Sequence, residues 1–347
     1  MDLNERKLKI LQAIIHSYIK KAQPVGSRTI AKKYNLGVSS ATIRNEMSDL
    51  EELGYLVQPH TSAGRIPSDK AYRLYVDSLM ELKSISSLER KKIKKGLSKE
   101  IREIEQLIQN SAKILSKLTN YTSLAIAPQF KKSRLKHIQL VPIDERKVLV
   151  VIVTDTGIAK NTIFMMDNDI THDHLNKITN YLNAKLKGHP IEYIGSSLEY
   201  ELIQEMYSLK NTINQVVPLI YQAVDELEEV DLYANGVTNI FNFPEYNDVS
   251  KAKAFLSFIE DKNLVVDMLM KSGLQDIEIK IGKENCYEEV KNCSLITATY
   301  SLNGKTIGKI GVIGPTRMDY SKVISIVKTI SLNLNDILNQ YYNRGGR

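Results

Sequence analysis

The spacing of apolar residues divides the first 80 residues into four short helical stretches. Apolar positions recur every three to four residues over 4–21, 27–34, 39–53 and 69–82. Ser27 is the predicted N-cap of the second stretch, and Ser39 or Ser40 that of the third. Gly37, in the turn between those two stretches, can adopt a positive φ. Two short helices across such a turn form a helix-turn-helix.

The helix predicted over 39–53 has one apolar side and one small, polar side. At about 100° per residue, Ile43, Met47 and Leu50 fall within a narrow arc that faces the core. Arg44 and Asn45 lie opposite, and these residue types can pair bidentately with guanine and adenine, respectively. The residues predicted to contact DNA from this region are Arg28, Ser39, Ser40, Ala41, Thr42, Arg44, Asn45 and Ser48.

A wing is predicted directly after this helix. Residues 55–58 and 65–67 predict two strands around the loop 59–64, and Arg65 at its base is predicted to reach phosphate or the minor groove. An ordinary helical hairpin with a solvated face is the plainer interpretation of two short helices. The turn, the capping serines, the polar face and the wing agree, however, and together they favour DNA binding.

Residues 84–118 predict a strongly charged linker helix that follows a winged helix-turn-helix domain over 1–83. Its apolar spacing is typical of a packed or coiled-coil helix. Gly96 weakens this helix and is expected to let the DNA-binding domain swing. The basic run 90–95 can contact phosphate, but a solvated helix face is the commoner role of such a run.

Strand patterns occur in two groups that lie far apart in the chain. They cover 124–127, 138–141, 147–154 and 161–165 in the first group, and 277–281, 294–302 and 306–313 in the second. Asn303-Gly304 is a strong hairpin signal. We expect the two groups to form one sheet, built from 119–170 and 255–347 and closed by a helix over 320–341. The predicted fold class is therefore α+β with several domains.

Residues 171–254, between the two groups, predict a largely helical inserted domain. The sheet does not need this insert for its own fold, so an intermolecular role is expected. Its apolar positions exceed what a short helical segment needs, and we expect them to hold a dimer together. Packing on the strand domain is the alternative. These apolar positions are Ile203, Met206, Val216, Val217, Leu219 and Ile220.

Composition and charge narrow the class of protein. A chain of 347 residues accommodates two or three domains, and its net charge of +7 is a mild sign of a polyanionic partner. Residues 1–80 hold 12 Lys or Arg against 8 Asp or Glu, so more than half of the excess lies there. The chain start lacks a signal-peptide core, the longest aliphatic run (148–153) is too short to span a bilayer, and two cysteines give no disulfide framework. A cytoplasmic protein without a membrane partner is expected.

No pattern for catalysis or for metal binding stands out. His172 and His174 do not present two ligands on one helix face, and no third ligand is nearby. A glycine run lacks the helix and the Lys-Ser/Thr pair of a phosphate loop, so turn and close-packing roles are expected for Gly304, Gly308, Gly311 and Gly314. We therefore expect no enzymatic activity, no cofactor and no metal.

Three groups of residues resemble signatures of the heat-inducible transcription repressor HrcA family. The N-terminal group comprises Pro24-Val25-Gly26-Ser27-Arg28, Ser39-Ser40-Ala41-Thr42-Ile43-Arg44-Asn45-Glu46-Met47 and Thr61-Ser62-Ala63-Gly64-Arg65-Ile66-Pro67. The mid-chain group comprises Asp231-Leu232-Tyr233 with Gly236, Asn239-Ile240 and Pro244-Glu245. The C-terminal group is Ile313-Gly314-Pro315-Thr316-Arg317-Met318-Asp319-Tyr320. Their order and spacing agree along essentially the whole chain.

The resemblance implies a dimeric repressor of heat-shock chaperone operons that binds the inverted repeat CIRCE and is kept active by the GroEL chaperonin. It also implies that the sheet is a GAF-like domain and that the insert is a dimerisation domain. One winged helix offers few base contacts, so useful specificity needs two half-sites and hence a homodimer. Two alternatives stay open. One is a winged-helix regulator controlled by a small ligand in its GAF-like domain, and the other is an assembly module whose winged helix binds protein.

Overall fold

The computed structural model describes residues 3–60, 63–97, 104–127, 134–155, 159–167, 171–191, 197–228, 230–271 and 276–345. The chain forms two compact units. The first is built from 1–128 and 231–347, and the second from 129–230. Within the described ranges, no helix combines the length and the apolar character needed to cross a membrane.

The first unit begins with a winged helix-turn-helix domain. Its elements are α1 (Glu5–Lys21), α2 (Ser27–Lys33), α3 (Ser40–Glu52), β1 (Leu56–Val57), β2 (Ile66–Pro67) and α4 (Asp69–Leu74), and α4 continues as a π-helical turn over Tyr75–Leu79. The apolar sides of the first three helices meet in a core where Ile14, Ile30 and Leu50 are fully buried. The helix-turn-helix and the wing are where the sequence predicts them, although the helix predicted over 69–82 ends at Leu79.

The remaining elements follow in chain order. They are α5 (Ser87–Leu97), α6 (Ile104–Thr119), β3 (Thr122–Ile126), β4 (Leu135–Asp144), β5 (Lys147–Thr154), β6 (Ala159–Met165), α7 (His172–Leu186), α8 (Ser197–Glu205), α9 (Lys210–Glu228), β7 (Leu232–Asn235), α10 (Val249–Glu260), α11 (Lys262–Met270), β8 (Ile277–Ile281), β9 (Cys293–Leu302), β10 (Lys305–Pro315) and α12 (Tyr320–Gly345).

Five antiparallel strands form the sheet of the first unit, in the order β7-β3-β10-β9-β8. Asn303 (φ 50°) and Gly304 (φ 78°) make the left-handed turn between β9 and β10 that the Asn-Gly pair predicts. Helices α6 and α12 pack on this sheet. The Ser123 hydroxyl of β3 donates to the Ala112 carbonyl of α6 over 2.7 Å. The glycine run has the predicted close-packing role, because a Cβ on Gly311 would lie 2.4 Å from the Ile296 carbonyl oxygen of β9.

The prediction of one linker helix over 84–118 is wrong. Helices α5 and α6 pack against each other, since a Cβ on Gly96 would lie 2.4 Å from Ile114 Cδ1. In one continuous helix these positions would be about 27 Å apart at 1.5 Å per residue. Gly96 is therefore required for close packing between two helices, and the structure gives it no role as a swivel.

An insert does interrupt the sheet, but the predicted boundaries of 171–254 are wrong. The second unit covers 129–230 and holds β4, β5 and β6, which form their own antiparallel sheet in that order. Strand β7, predicted to be part of the insert, belongs to the first unit and pairs Leu232 with Ile126 of β3. The Ala127 amide donates to the Asp231 carbonyl over 2.8 Å, so the chain leaves and re-enters the first unit at adjacent points. Residue patterns locate strands, but which strands pair is a property of the whole fold.

The second unit fully buries half of the apolar residues that were predicted to face a partner. Val216, Val217 and Ile220 are fully buried between α9 and the three-stranded sheet. The other three pack partly buried against the same core, namely Ile203, Met206 and Leu219. Val216, Val217 and Ile220 are therefore not available for the predicted dimer contact, because the insert contains a sheet that covers them. A dimer contact through Ile203, Met206 and Leu219 stays a prediction.

The opposite side of that three-stranded sheet carries an exposed apolar patch. The strand register places Val141, Leu149 and Ile163 side by side across β4, β5 and β6. Ile163 is 59% exposed and Met165, two residues further along β6, is 69% exposed. We call Val141, Leu149, Ile163 and Met165 the outer sheet face.

Candidate nucleic-acid interface

Helix α3 is fixed at both ends by local signals in the sequence. The Ser39 hydroxyl accepts a hydrogen bond from the Thr42 amide over 3.1 Å. Of the two serines predicted as the cap, Ser39 is therefore the N-cap residue of α3. Gly37 (φ 67°) makes the preceding turn and Gly54 (φ 78°) the following one. The prediction for α2 is off by one residue, because Gly26 occupies the N-cap and Ser27 is the first helical residue.

The two sides of α3 are arranged as predicted. Ile43 and Leu50 are fully buried and Met47 is 5% exposed. On the other side, four side chains are exposed, namely Ala41, Arg44, Asn45 and Ser48. Ser39 and Arg28 are exposed as well, and Ser40 and Thr42 are half-buried at the start of the helix.

Arg44 and Asn45 have side chains that the protein itself does not use. In the described part of the chain, neither side chain forms a hydrogen bond or an ion pair with another residue. Their donors and acceptors therefore point to solvent at the exposed side of a capped helix. Bidentate contacts to base edges need side chains whose polar groups are unpaired, because a donor that is already bonded within the protein would first have to break that bond.

The wing is attached to the segment before α2. Val25 and Arg65 exchange two backbone hydrogen bonds of 2.8 and 2.9 Å. Gly64 allows this approach, since a Cβ there would lie 2.5 Å from the Val25 backbone. Residues 61 and 62 lie outside the described residues. The base of the wing is thus held at a defined place beside the helix-turn-helix.

The Arg65 side chain turns towards α3. Its Nε donates to Glu51 Oε2 over 2.7 Å, and the side chain is 20% exposed. The sequence predicts Arg65 as a direct contact to phosphate or to the minor groove. The structure shows that Nε of this guanidinium already donates to a carboxylate on the recognition helix.

Sequence reasoning also missed a cluster of ion pairs beneath α3. Lys7 of α1 lies between two carboxylates of α3, with its Nζ 2.9 Å from Glu46 Oε2 and 2.8 Å from Asp49 Oδ2. Glu46 is 9% exposed, although it belongs neither to the predicted core arc nor to the predicted polar side of the helix. Nothing in the local pattern identifies Lys7 as its partner, because the two residues lie 39 positions apart in the chain.

The DNA-binding domain is joined to the sheet of the first unit by specific contacts. Arg73 of α4 donates from Nη2 to the Ile279 carbonyl over 2.7 Å and forms an ion pair with Glu284. The Asp69 carboxylate accepts from the Lys283 amide over 3.1 Å. It also fills the space beside Gly282 (φ 56°), where a Cβ would lie 2.1 Å from Asp69 Oδ2. Helix α4, which follows the wing directly, is therefore fixed against the turn after β8.

The residues of the mid-chain and C-terminal signatures meet at the same junction. Arg317 forms an ion pair with Glu245, with Nη2 3.1 Å from Oε2, and donates from Nη1 to the Ile19 carbonyl of α1 over 3.1 Å. The Ser321 hydroxyl donates to the Glu81 carbonyl over 2.6 Å. The Tyr320 ring lies 5.7 Å from the Tyr72 ring. These sequence signatures therefore hold the DNA-binding domain in place.

Metal and thiol chemistry has little support in the described ranges. No group of three or more His, Cys, Asp or Glu there could hold a metal ion. Thr171 caps α7 by accepting from the His174 amide over 3.4 Å, and His174 Nδ1 lies 3.3 Å from the Thr212 hydroxyl. Burial raises the pKa of the Cys293 thiol to about 12, which keeps it protonated and unreactive near neutral pH.

A capped recognition helix with free arginine and asparagine side chains beside a wing defines a winged-helix DNA-binding protein. Two family models agree with this class. Residues 2–81 match "Winged helix-turn-helix transcription repressor, HrcA DNA-binding", and residues 105–324 match "HrcA protein C terminal domain". The chain belongs to the HrcA family of heat-inducible transcription repressors.

Similar proteins agree with this assignment over nearly the full length. The chain is 49% identical to the "Heat-inducible transcription repressor HrcA" of Alkaliphilus metalliredigens, over 99% of this chain and 100% of that protein. It is 48% identical to the protein of the same name from Ruminiclostridium cellulolyticum, over 96% and 97%. A crystal structure described only as that of a hypothetical protein has the same fold, with a TM-score of 0.68 and 24% identity over 98% of this chain and 99% of that one. The named relatives are transcription repressors, a class of DNA-binding protein rather than of enzyme.

Proposed function

We propose that this repressor binds the CIRCE inverted repeat as a homodimer, represses heat-shock chaperone operons and depends on the GroEL chaperonin for its activity. The observation that carries the DNA-binding part is the exposed side of α3, where Arg44 and Asn45 are free of contacts within the described residues. The operator and the chaperonin rest on family membership.

Each proposed DNA contact has a role suited to its position. Arg44 and Asn45, in the N-terminal half of α3, read base edges. Arg28 of α2 contacts the sugar-phosphate backbone. The short side chains at the start and on the exposed side of α3 contact the backbone as well, namely Ser39, Ser40, Ala41, Thr42 and Ser48. Arg65 belongs to the interface through the wing and through its contact with Glu51. These roles place the N-terminus of α3 in the major groove.

The proposed dimer uses the outer sheet face of the second unit. An inverted repeat is matched by a protein with a two-fold axis, in which the same patch contacts itself on both copies. The outer sheet face offers such a patch, because Ile163 and Met165 are more than half exposed and Val141 is 37% exposed. We also propose that the five-stranded sheet with α6 and α12 is a GAF-like domain.

Arg44→Ala and Asn45→Ala should each reduce the preference for the operator over scrambled DNA by about 1–3 kcal/mol, the range for a bidentate base contact. Thermal stability should hardly change, because both side chains are exposed and make no described contact. Lys328→Ala, which removes an exposed charge from α12, is the matched control and should leave the preference intact. Unchanged discrimination in both α3 variants would show that another surface reads the sequence.

The proposed function as a whole is tested by a mobility-shift titration. A CIRCE duplex, a single half-site and a scrambled duplex of equal length are compared, each with and without GroEL. We expect the intact repeat to bind most tightly and GroEL to raise the fraction of repressor that is competent to bind. Equal binding of all three duplexes would contradict the proposed operator. Operator binding that does not change when GroEL is added would contradict the proposed role of the chaperonin.

A further inference from the structure

The recognition helix carries a charge that opposes its proposed task. Helix α3 has one cation, Arg44, and four carboxylates, Glu46, Asp49, Glu51 and Glu52, which gives a formal net charge of −3. Duplex DNA carries about one negative charge per 1.7 Å of its axis. A helix of this charge would be repelled by the backbone that it must lie against.

Three cations from outside the helix contact three of these carboxylates. Lys7 Nζ lies 2.9 Å from Glu46 and 2.8 Å from Asp49. Arg65 Nε lies 2.7 Å from Glu51. Arg6 Nη1 reaches Glu46 at 3.6 Å. Their three positive charges bring the formal total for the helix and its neighbours to zero.

Two of these cations are poorly placed to bind DNA themselves. The Lys7 side chain is 18% exposed, and its ammonium group lies between two carboxylates. The Arg65 side chain is 20% exposed and faces Glu51. Arg6 differs, since its side chain is 55% exposed. A phosphate contact from Lys7, or one through Nε of Arg65, would compete with an ion pair that these groups already form.

We infer that Lys7 and Arg65 are positioning residues of the DNA interface, which neutralise and orient the recognition helix instead of binding DNA. Lys7 fixes α3 against α1, and Arg65 fixes the wing against the C-terminal half of α3, so helix and wing approach the duplex together. This inference rests on the proposed role of α3. It makes Glu46, Asp49 and Glu51 the groups through which the two cations act.

Rescue by removal of a carboxylate tests the inference for Lys7. Operator and scrambled duplexes are titrated by fluorescence anisotropy. Lys7→Met should weaken binding to both by about tenfold, since the effect of a charge on the helix is independent of sequence. The double variant Lys7→Met, Asp49→Asn should return to within about threefold of the wild type, because it restores the formal total to zero and leaves Glu46 with Arg6 as its partner. Lys328→Met on α12 is the matched control for the loss of one exposed lysine charge.

Arg65 has its own rescue pair. Arg65→Gln should weaken binding, and Arg65→Gln with Glu51→Gln should restore it. A direct phosphate contact predicts the opposite, namely no rescue and a fall of about 1 in the slope of log Kd against log salt concentration. Failure of rescue in both pairs would overturn the inference.

Glu51→Gln alone keeps the test decisive if a lysine or arginine variant does not fold. This variant removes one negative charge from α3 and keeps a side-chain oxygen that can accept from Arg65 Nε, so binding to both duplexes should tighten by a similar factor. Unchanged or weaker binding would count against the inference. A wild-type protein that does not prefer the operator would instead refute the proposed function, whereas preference in the wild type without rescue in the variants refutes the inference alone.

Discussion

Ile163→Glu is expected to convert the repressor from a dimer into a monomer and to abolish its preference for an inverted repeat over a single half-site. Ile163 lies on the edge strand β6 of the outer sheet face, beside Leu149 in the strand register. Its side chain is 59% exposed in the single chain. The substitution therefore removes little from the fold of the second unit and acts on the proposed contact between copies.

The expected size of the effect follows from the symmetry of that contact. Burial of an isoleucine side chain contributes about 1.5–3 kcal/mol. In a two-fold interface one substitution removes this contribution twice, for a total of about 3–6 kcal/mol before the cost of desolvating the new carboxylates. That loss weakens the dimer by roughly two to four powers of ten.

Sedimentation velocity at several protein concentrations measures this change, and a half-site competition assay follows its effect on DNA. Val249→Glu is the matched control, because Val249 is an exposed aliphatic residue (80%) at the start of α10 in the other unit. The control should remain dimeric. An Ile163→Glu variant that remains dimeric and still prefers the inverted repeat over a single half-site would show that the outer sheet face is not the dimer interface.

Arg317→Met should lower the melting temperature of the first unit more than any surface substitution. Arg317 is 9% exposed, pairs with Glu245, donates to the Ile19 carbonyl and lies 5.4 Å from the centre of the Phe243 ring. Breaking a fully buried ion pair costs about 3–5 kcal/mol. We expect about 2–4 kcal/mol here, since the Glu245 side chain is 30% exposed and water can solvate it in part.

Differential scanning calorimetry measures the loss, and a second substitution assigns its cause. Arg317→Met with Glu245→Gln should recover part of the stability, because no carboxylate is then left without its partner. Discrimination between operator and scrambled DNA below the melting transition should persist, as α3 is untouched. An unchanged melting temperature in Arg317→Met would mean that the DNA-binding domain is held to the sheet by other contacts.

The parts of this fold that depend on neighbouring residues could be predicted from the sequence. Gly37, Ser39 and Gly54 define the two ends of α3 by turn and cap chemistry that acts over a few residues. The alternation of apolar and polar positions then separates Ile43 from Arg44 around the helix. Asn303-Gly304 specifies its hairpin for the same reason, because the required backbone conformation belongs to those two residues.

The parts that depend on distant pairing could not be predicted. The strands of the second unit have the same β-branched composition as those of the first, so the pattern could not show that they pair with one another. The apolar residues of α9 were recognised, but the element that buries them was not, because that element is the three-stranded sheet of the second unit. Glu46 and Glu51 belong to the predicted helix, whereas their partners lie on α1 and on the wing.

The fit between Asp69 and Gly282 limits how this regulator can be recombined with others. A chimera that takes only residues 1–83 would leave the Asp69 carboxylate without the Lys283 amide and the Tyr72 ring without its Tyr320 neighbour. The exchangeable boundary therefore lies elsewhere, between Ala127 and Asp231, where a single turn could replace 128–230 and close β3 onto β7. A new effector domain should therefore be inserted between Ala127 and Asp231, and the whole first unit should be kept together in a chimera.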